Sequence, residues 1–175
     1  MEQTTLAPAA EMVVDVTDAQ TLVPGVDRAE IARLVRRTLA REGVDACEIS
    51  VFIVDDAAGR EINARHLRHD WETDVITFPL SEPDDERLAG ELVVSIEMAW
   101  KTAASVGVDP WTELALYIIH GLMHLLGYDD QTLEDSDRMR EREAFHLRAE
   151  GLANSFGLVA SAPGTLGREG EPCPA

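Results

Sequence analysis

The segment PWTELALYIIHGLMHLLG, residues 110–127, constrains this chain more than any other. Proline in a first helical turn and glycine just past the last apolar residue bracket a helix over 110–126. Apolar almost all round, such a helix needs packed neighbours on every side and so belongs at the centre of the fold. His120 and His124 interrupt that surface at i and i+4, which places their Cβ atoms about 6 Å apart on one face. Two imidazoles at that separation can share a metal ion. They can equally be core histidines whose nitrogens find protein partners. Gly127 lets the chain turn back and present a carboxylate, and three protein ligands leave a coordination position open, the catalytic rather than the structural arrangement of zinc.

Around this helix the periodicities alternate between two and 3.6 residues. Strands are expected over 12–16, 47–54, 74–80 and 90–96. Helices are expected over 27–41 with Asp27 as N-cap, from Asp55 or Asp56 to about Leu67, over 97–106, and over 132–154. The fold class that follows is α+β: a single domain over 12–159, a mixed sheet of about four strands packed with helices, and the HxxxH helix at its centre. Residues 1–11 are small and polar and 160–175 are rich in Pro and Gly, so both are expected to be disordered tails.

Two cysteines, Cys47 in an apolar run and Cys173 in the last segment, form neither a disulfide framework nor a CxxC knuckle. No stretch approaches a membrane span and the first residues lack a signal-peptide pattern, so a soluble, cytoplasmic chain without a membrane partner is expected. Lys and Arg number 15 against 33 Asp and Glu, a net charge of -18 that repels nucleic acid in bulk. DNA is accordingly not an expected partner. Lys101 is the sole lysine, and an arginine-based cation set favours bidentate contacts to carboxylate or phosphate.

Glu113 lies seven residues before His120 on the same stripe. It can accept the outer N–H of a ligating imidazole or stand as a solvated first-turn glutamate aided by the helix dipole. Zinc peptidases of the HExxH type carry a glutamate base directly after the first histidine; here that position is Gly121, which disfavours such a peptidase. The run EDSDRMRERE, 134–143, reads as a solvated helix face or a partner surface.

HGLMHLLGYD followed by an acidic helix resembles the HGxxHLxGYDH signature of the YbeY family, bacterial endoribonucleases also called ribosomal RNA maturation factors. Upstream, Ile62-Asn63, His69-Asp70 and the stretch Thr73 to Phe78 resemble the family's LN…DxxTDVLSFP block, and Gly90-Glu91-Leu92 resembles its GDI strand. The resemblance runs over about residues 30–150. It implies a metal-dependent hydrolase fold, one zinc ion per chain, single-strand-specific RNA cleavage, and ribosomal RNA precursor and the small ribosomal subunit as partners. It further implies His120, His124 and Asp130 as the metal ligands, with Asp129 in support. Asp130 stands where the family has a third histidine, and its charge widens the choice of divalent metal. Leu67 stands where many members carry an arginine. Arg68 beside it is the substitute candidate for substrate binding, or a surface arginine at a helix end. The resemblance names no catalytic base. The rival expectations are a non-catalytic ribosome assembly factor of the same fold and a metallohydrolase of another substrate. A monomer is expected.

Overall fold

The computed structural model describes residues 11–23, 25–66, 73–82 and 85–152. The expected tails lie outside these residues, apart from Glu11, and so do the C-terminal residues of the expected domain after Leu152. The chain runs β1 (Met12–Asp18), α1 (Arg28–Arg41), β2 (Cys47–Val54), α2 (Asp56–His66), β3 (Val75–Pro79), β4 (Leu88–Ser95), α3 (Ile96–Val106), α4 (Pro110–Leu125) and α5 (Leu133–Ala149). The architecture is α+β with one mixed sheet in the order β1-β2-β4-β3. β1 and β4 lie parallel to β2, and β3 runs antiparallel to β4 at the edge.

The alternation of side chains assigns the two faces of the sheet. Cys47, Ile49, Val51 and Ile53 of β2, with Leu92 and Val94 of β4, join the main core under α1 and α4. Their strand neighbours Val54 and Val93, with Ile76 of β3, pack on the other face against Ala58 and Ile62 of α2. α4 contacts α1, α3, α5, β3 and β4, and Leu114, Ile118, Ile119, Leu122 and Met123 are completely buried. Its all-round apolarity therefore has a use at every azimuth. At Gly121 helix and sheet come so close that a Cβ there would stand 2.8 Å from Leu92 Cδ2 and 3.1 Å from Val75 Cγ2. A larger residue at this position would have to displace these side chains, so the close approach of helix to sheet suits glycine.

Element boundaries follow local chemistry. Asp27 caps α1, Asp109 caps α4 ahead of Pro110, and Asp55 Oδ1 accepts from the Ala58 N–H in the first turn of α2. α5 stops at Ala149 instead of reaching 154, because Gly151 adopts φ 76° and Glu150 is drawn into ion pairs with Arg37 and Arg41 of α1. Among the described residues no helix is long and apolar enough to cross a membrane.

Candidate metal centre

The last turn of α4, the 127–130 turn and the middle of α5 meet at one place. His120 and His124 project from α4 with their rings 4.6 Å apart, edge to face. The chain leaves α4 through Leu126 and Gly127, the latter at φ 85°, and the Tyr128 N–H closes back on the Met123 carbonyl at 3.0 Å. That turn brings Asp130 back beside the helix. One ligand atom from each of His120, His124 and Asp130 lies within 4.8 Å of the others.

The outer nitrogens decide the chemistry. His120 Nδ1 is 2.6 Å from Glu143 Oε1, and His124 Nδ1 is 3.1 Å from the Tyr128 carbonyl oxygen. A carboxylate and a carbonyl only accept, so both hydrogens sit on Nδ1, and in neutral rings both Nε2 atoms present bare lone pairs. These two Nε2 atoms are 3.1 Å apart. Facing lone pairs at that distance repel unless a cation lies between them. A tetrahedral ion with Zn–N bonds of 2.0–2.1 Å holds two nitrogens about 3.3 Å apart, so the donor set and its spacing fit a zinc-like ion. The surrounding field favours positive charge at this place. Burial works against a charged His120, but the bond to Glu143 and the nearby charges of Glu143, Asp74 and Asp130 outweigh it and raise the imidazole above its ordinary value.

A cavity of about 200 Å³ opens beside the cluster, lined among others by Asp74, His120, Asp130, Arg140 and Glu143. Asp74 immediately precedes β3. Its Oδ1 accepts from the Val75 N–H at 2.9 Å and from Thr73 Oγ1 at 3.1 Å, while its backbone carbonyl accepts from the Ser95 N–H. The turn that carries Asp130 is tied to the rest of the molecule through Glu42 at the end of α1. That half-buried carboxylate accepts from Arg142, from Tyr128 Oη at 3.3 Å and from His146 Nε2 at 2.6 Å.

The sequence-derived residues separate against this geometry. His120, His124 and Asp130 converge. Asp129 is exposed and braces the turn by accepting the Asp130 N–H at 2.8 Å, so its support for Asp130 runs through the backbone. Glu113 does not reach His120, and this corrects the expectation that it orients the ligand: seven residues along α4 are about 10 Å of axial rise, and Glu143 already occupies His120 Nδ1. Glu113 is instead buried in the first turn of α4, 2% exposed, with Oε1 unpartnered. Desolvation, together with the charge of Asp74, raises its pKa, so the expected solvated glutamate is instead a buried one in the first turn of α4. Arg68 lies outside the described residues, as do Leu67, His69 and Asp70. Glu143 was missed because it closes an acidic run. Its signal was the spacing Met139, Glu143, Leu147, a carboxylate inside the apolar stripe of α5, and all three are buried.

Comparison with known proteins places the chain in a family. A family model described as Endoribonuclease YbeY matches residues 15–151. The chain belongs to the YbeY family. Endoribonuclease YbeY of Amoebophilus asiaticus is 32% identical over 84% of this chain and 98% of its own length. Endoribonuclease YbeY of Bacillus licheniformis is 34% identical over 82% of this chain and 98% of its own. Among solved structures, a Thermotoga maritima protein determined in solution superposes with a TM-score of 0.54 at 20% identity, covering 90% of this chain and all of that one. At that identity the likeness concerns the fold. The YbeY match covers every element from α1 to α5, and so every residue of the cluster.

Proposed function

We propose that this protein is a metal-dependent endoribonuclease that cuts single-stranded RNA, with ribosomal RNA precursor on the small subunit as its substrate and His120, His124 and Asp130 as the holders of one zinc ion. The observation that carries the reading is the pair of bare Nε2 atoms 3.1 Å apart beside Asp130, in a chain whose relatives are named endoribonucleases. A divalent ion in such a set supplies Lewis acidity toward a phosphoryl oxygen and makes water a stronger acid.

The chain's own residues supply the rest. Glu143 fixes the tautomer and tilt of His120, and the Tyr128 carbonyl does the same for His124. Asp130 adds negative charge where a histidine would be neutral, which strengthens the hold on hard divalent ions such as Mn or Mg relative to a three-histidine set. Asp74, with Oδ1 bonded to its own turn, is a carboxylate that lines the cavity from outside α4. Gly121 offers no base, so proton transfer falls to a carboxylate outside α4.

The test is elemental analysis of protein purified without chelators or a metal-affinity tag, beside His124→Ala and Asp130→Ala, followed by cleavage assays on a single-stranded RNA and its duplex. About one ion per chain, lost in His124→Ala and weakened in Asp130→Ala, with cleavage of the single strand alone, is the expected result. Cleavage that survives in metal-free His124→Ala refutes it. Metal and ribosomal RNA binding without turnover under added Zn, Mn or Mg replaces the enzyme with an assembly factor.

A further inference from the structure

We infer that Arg140 binds a phosphodiester group of the RNA strand beside the metal centre, an assignment that rests on the endoribonuclease reading. The wall of the cavity opposite α4 is one face of α5: Ser136, Met139, Arg140 and Glu143 recur at i, i+3, i+4 and i+7 and all line it. Among the described residues, the ionisable groups of that lining are His120, Tyr117, three acids (Asp74, Asp130 and Glu143) and Arg140. Arg140 is the one permanent cation of that lining among the described residues. In a chain of net charge -18, a polyanion entering such a cavity meets carboxylates unless a positive group offsets them locally.

Arg140 is free to be that group. Its ion pair with Asp137 is long, 3.8 Å, and the two side chains are 65% and 76% exposed, so water screens it heavily. Neighbouring arginines are differently committed. Arg142 is bound to Glu42, Arg37 and Arg41 to Glu150, and Arg138 to Asp135 at 3.0 Å. Arg140 also stands one turn before Glu143, whose carboxylate is bonded to His120, so the guanidinium and the group that orients His120 belong to the same helix. A planar fork of N–H donors matches two phosphate oxygens, and a residue on a helix presents it with less loss of entropy than one on a loop.

The experiment uses full-length, zinc-loaded protein as wild type, Arg140→Ala, Arg140→Glu and Arg140→Lys. A fluorescent single-stranded 2′-O-methyl oligoribonucleotide, which resists cleavage, reports binding by anisotropy over a salt series. An unmodified strand reports kcat and KM. Arg140→Ala is expected to weaken binding and raise KM on the order of tenfold, the loss of one charge-assisted contact, with kcat within about twofold. The slope of log K against log salt should fall by about 0.7, one phosphate contact on a single strand. Arg140→Glu should weaken binding further, and Arg140→Lys should recover part of it. Metal content and melting temperature should be unchanged, because the side chain is exposed. Wild-type binding, KM and salt slope in Arg140→Ala overturn the assignment while leaving the nuclease standing, and so does loss of metal in that variant. A metal-loaded wild type that neither binds nor cuts RNA overturns both.

Discussion

Glu143 gives the sharpest test of how this site is held. Its Oε1 lies 2.6 Å from His120 Nδ1, its side chain is 8% exposed, and it reaches the ligand from a different helix. In Glu143→Ala the Nδ1 hydrogen loses its acceptor. A half-buried imidazole then gains by moving that hydrogen to Nε2, where the His124 Nε2 atom waits 3.1 Å away. The variant thus replaces a metal-ready pair of lone pairs with an internal hydrogen bond that an ion has to break. Removing an outer partner of a ligating histidine weakens metal about 10–100-fold, or about 1.4–2.8 kcal/mol, and the burial of this bond places Glu143→Ala toward the upper end. Glu143→Gln keeps an acceptor and loses the charge, so about three- to tenfold is expected. The assay is competition with a chromophoric zinc chelator at fixed pH, with apo-protein melting as the control for folding. Glu141→Gln, the same charge change on the exposed side of α5, serves as the reference and should stay within about twofold. If Glu143→Ala binds zinc as tightly as wild type while Glu141→Gln behaves as stated, the tautomer argument is wrong.

Two further outcomes follow from packing and charge. Gly121→Ala gains about 1 kcal/mol of helix propensity but forces a methyl against Leu92, which is completely buried, at an overpacking cost of about 1–3 kcal/mol. A melting temperature lower by about 2–4 °C is expected from calorimetry, and a rise would refute the close approach of α4 to the sheet. For Glu150, burial raises the pKa, but the bonds from Arg37 and Arg41 outweigh it and hold the carboxyl below the ordinary glutamate value of 4.5. A depressed carboxylate stabilises the folded chain above its unfolded pKa, and that stability is lost as pH falls through the folded one. The melting temperature should therefore drop with acidification below about pH 4.5, and Glu150→Gln should flatten the drop; parallel curves for the two proteins would contradict the ion-paired arrangement.

How much of this was legible follows the range of each signal. Helix α4, its proline start, its glycine stop and the shared face of His120 and His124 are properties of one continuous segment, and periodicity reads them directly. Fold class followed for the same reason, since alternation in β2 and the helical stripes of α1 and α3 are local. The end of α5 was overextended because polar residues after Ala149 continue a helical pattern, while Gly151 and two arginines from α1 stop it. Gly121 was legible as an absence of base, but the close approach of the sheet beneath it was not.

By itself the sequence determined which two histidines can share an ion and along which helix they lie, because spacing within an element converts directly into geometry. Tertiary structure decided which carboxylates serve them. Glu113 and Glu143 are both acidic residues with a claim on His120, and only the packing of α5 across α4 awards the contact to the one 23 positions away. The same packing sets Arg140 at the cavity and Arg142 on Glu42, two residues apart in a run that reads as uniform surface charge. Contacts between elements depend on how helices cross and on which turn meets which, and no periodicity within a single element carries that information.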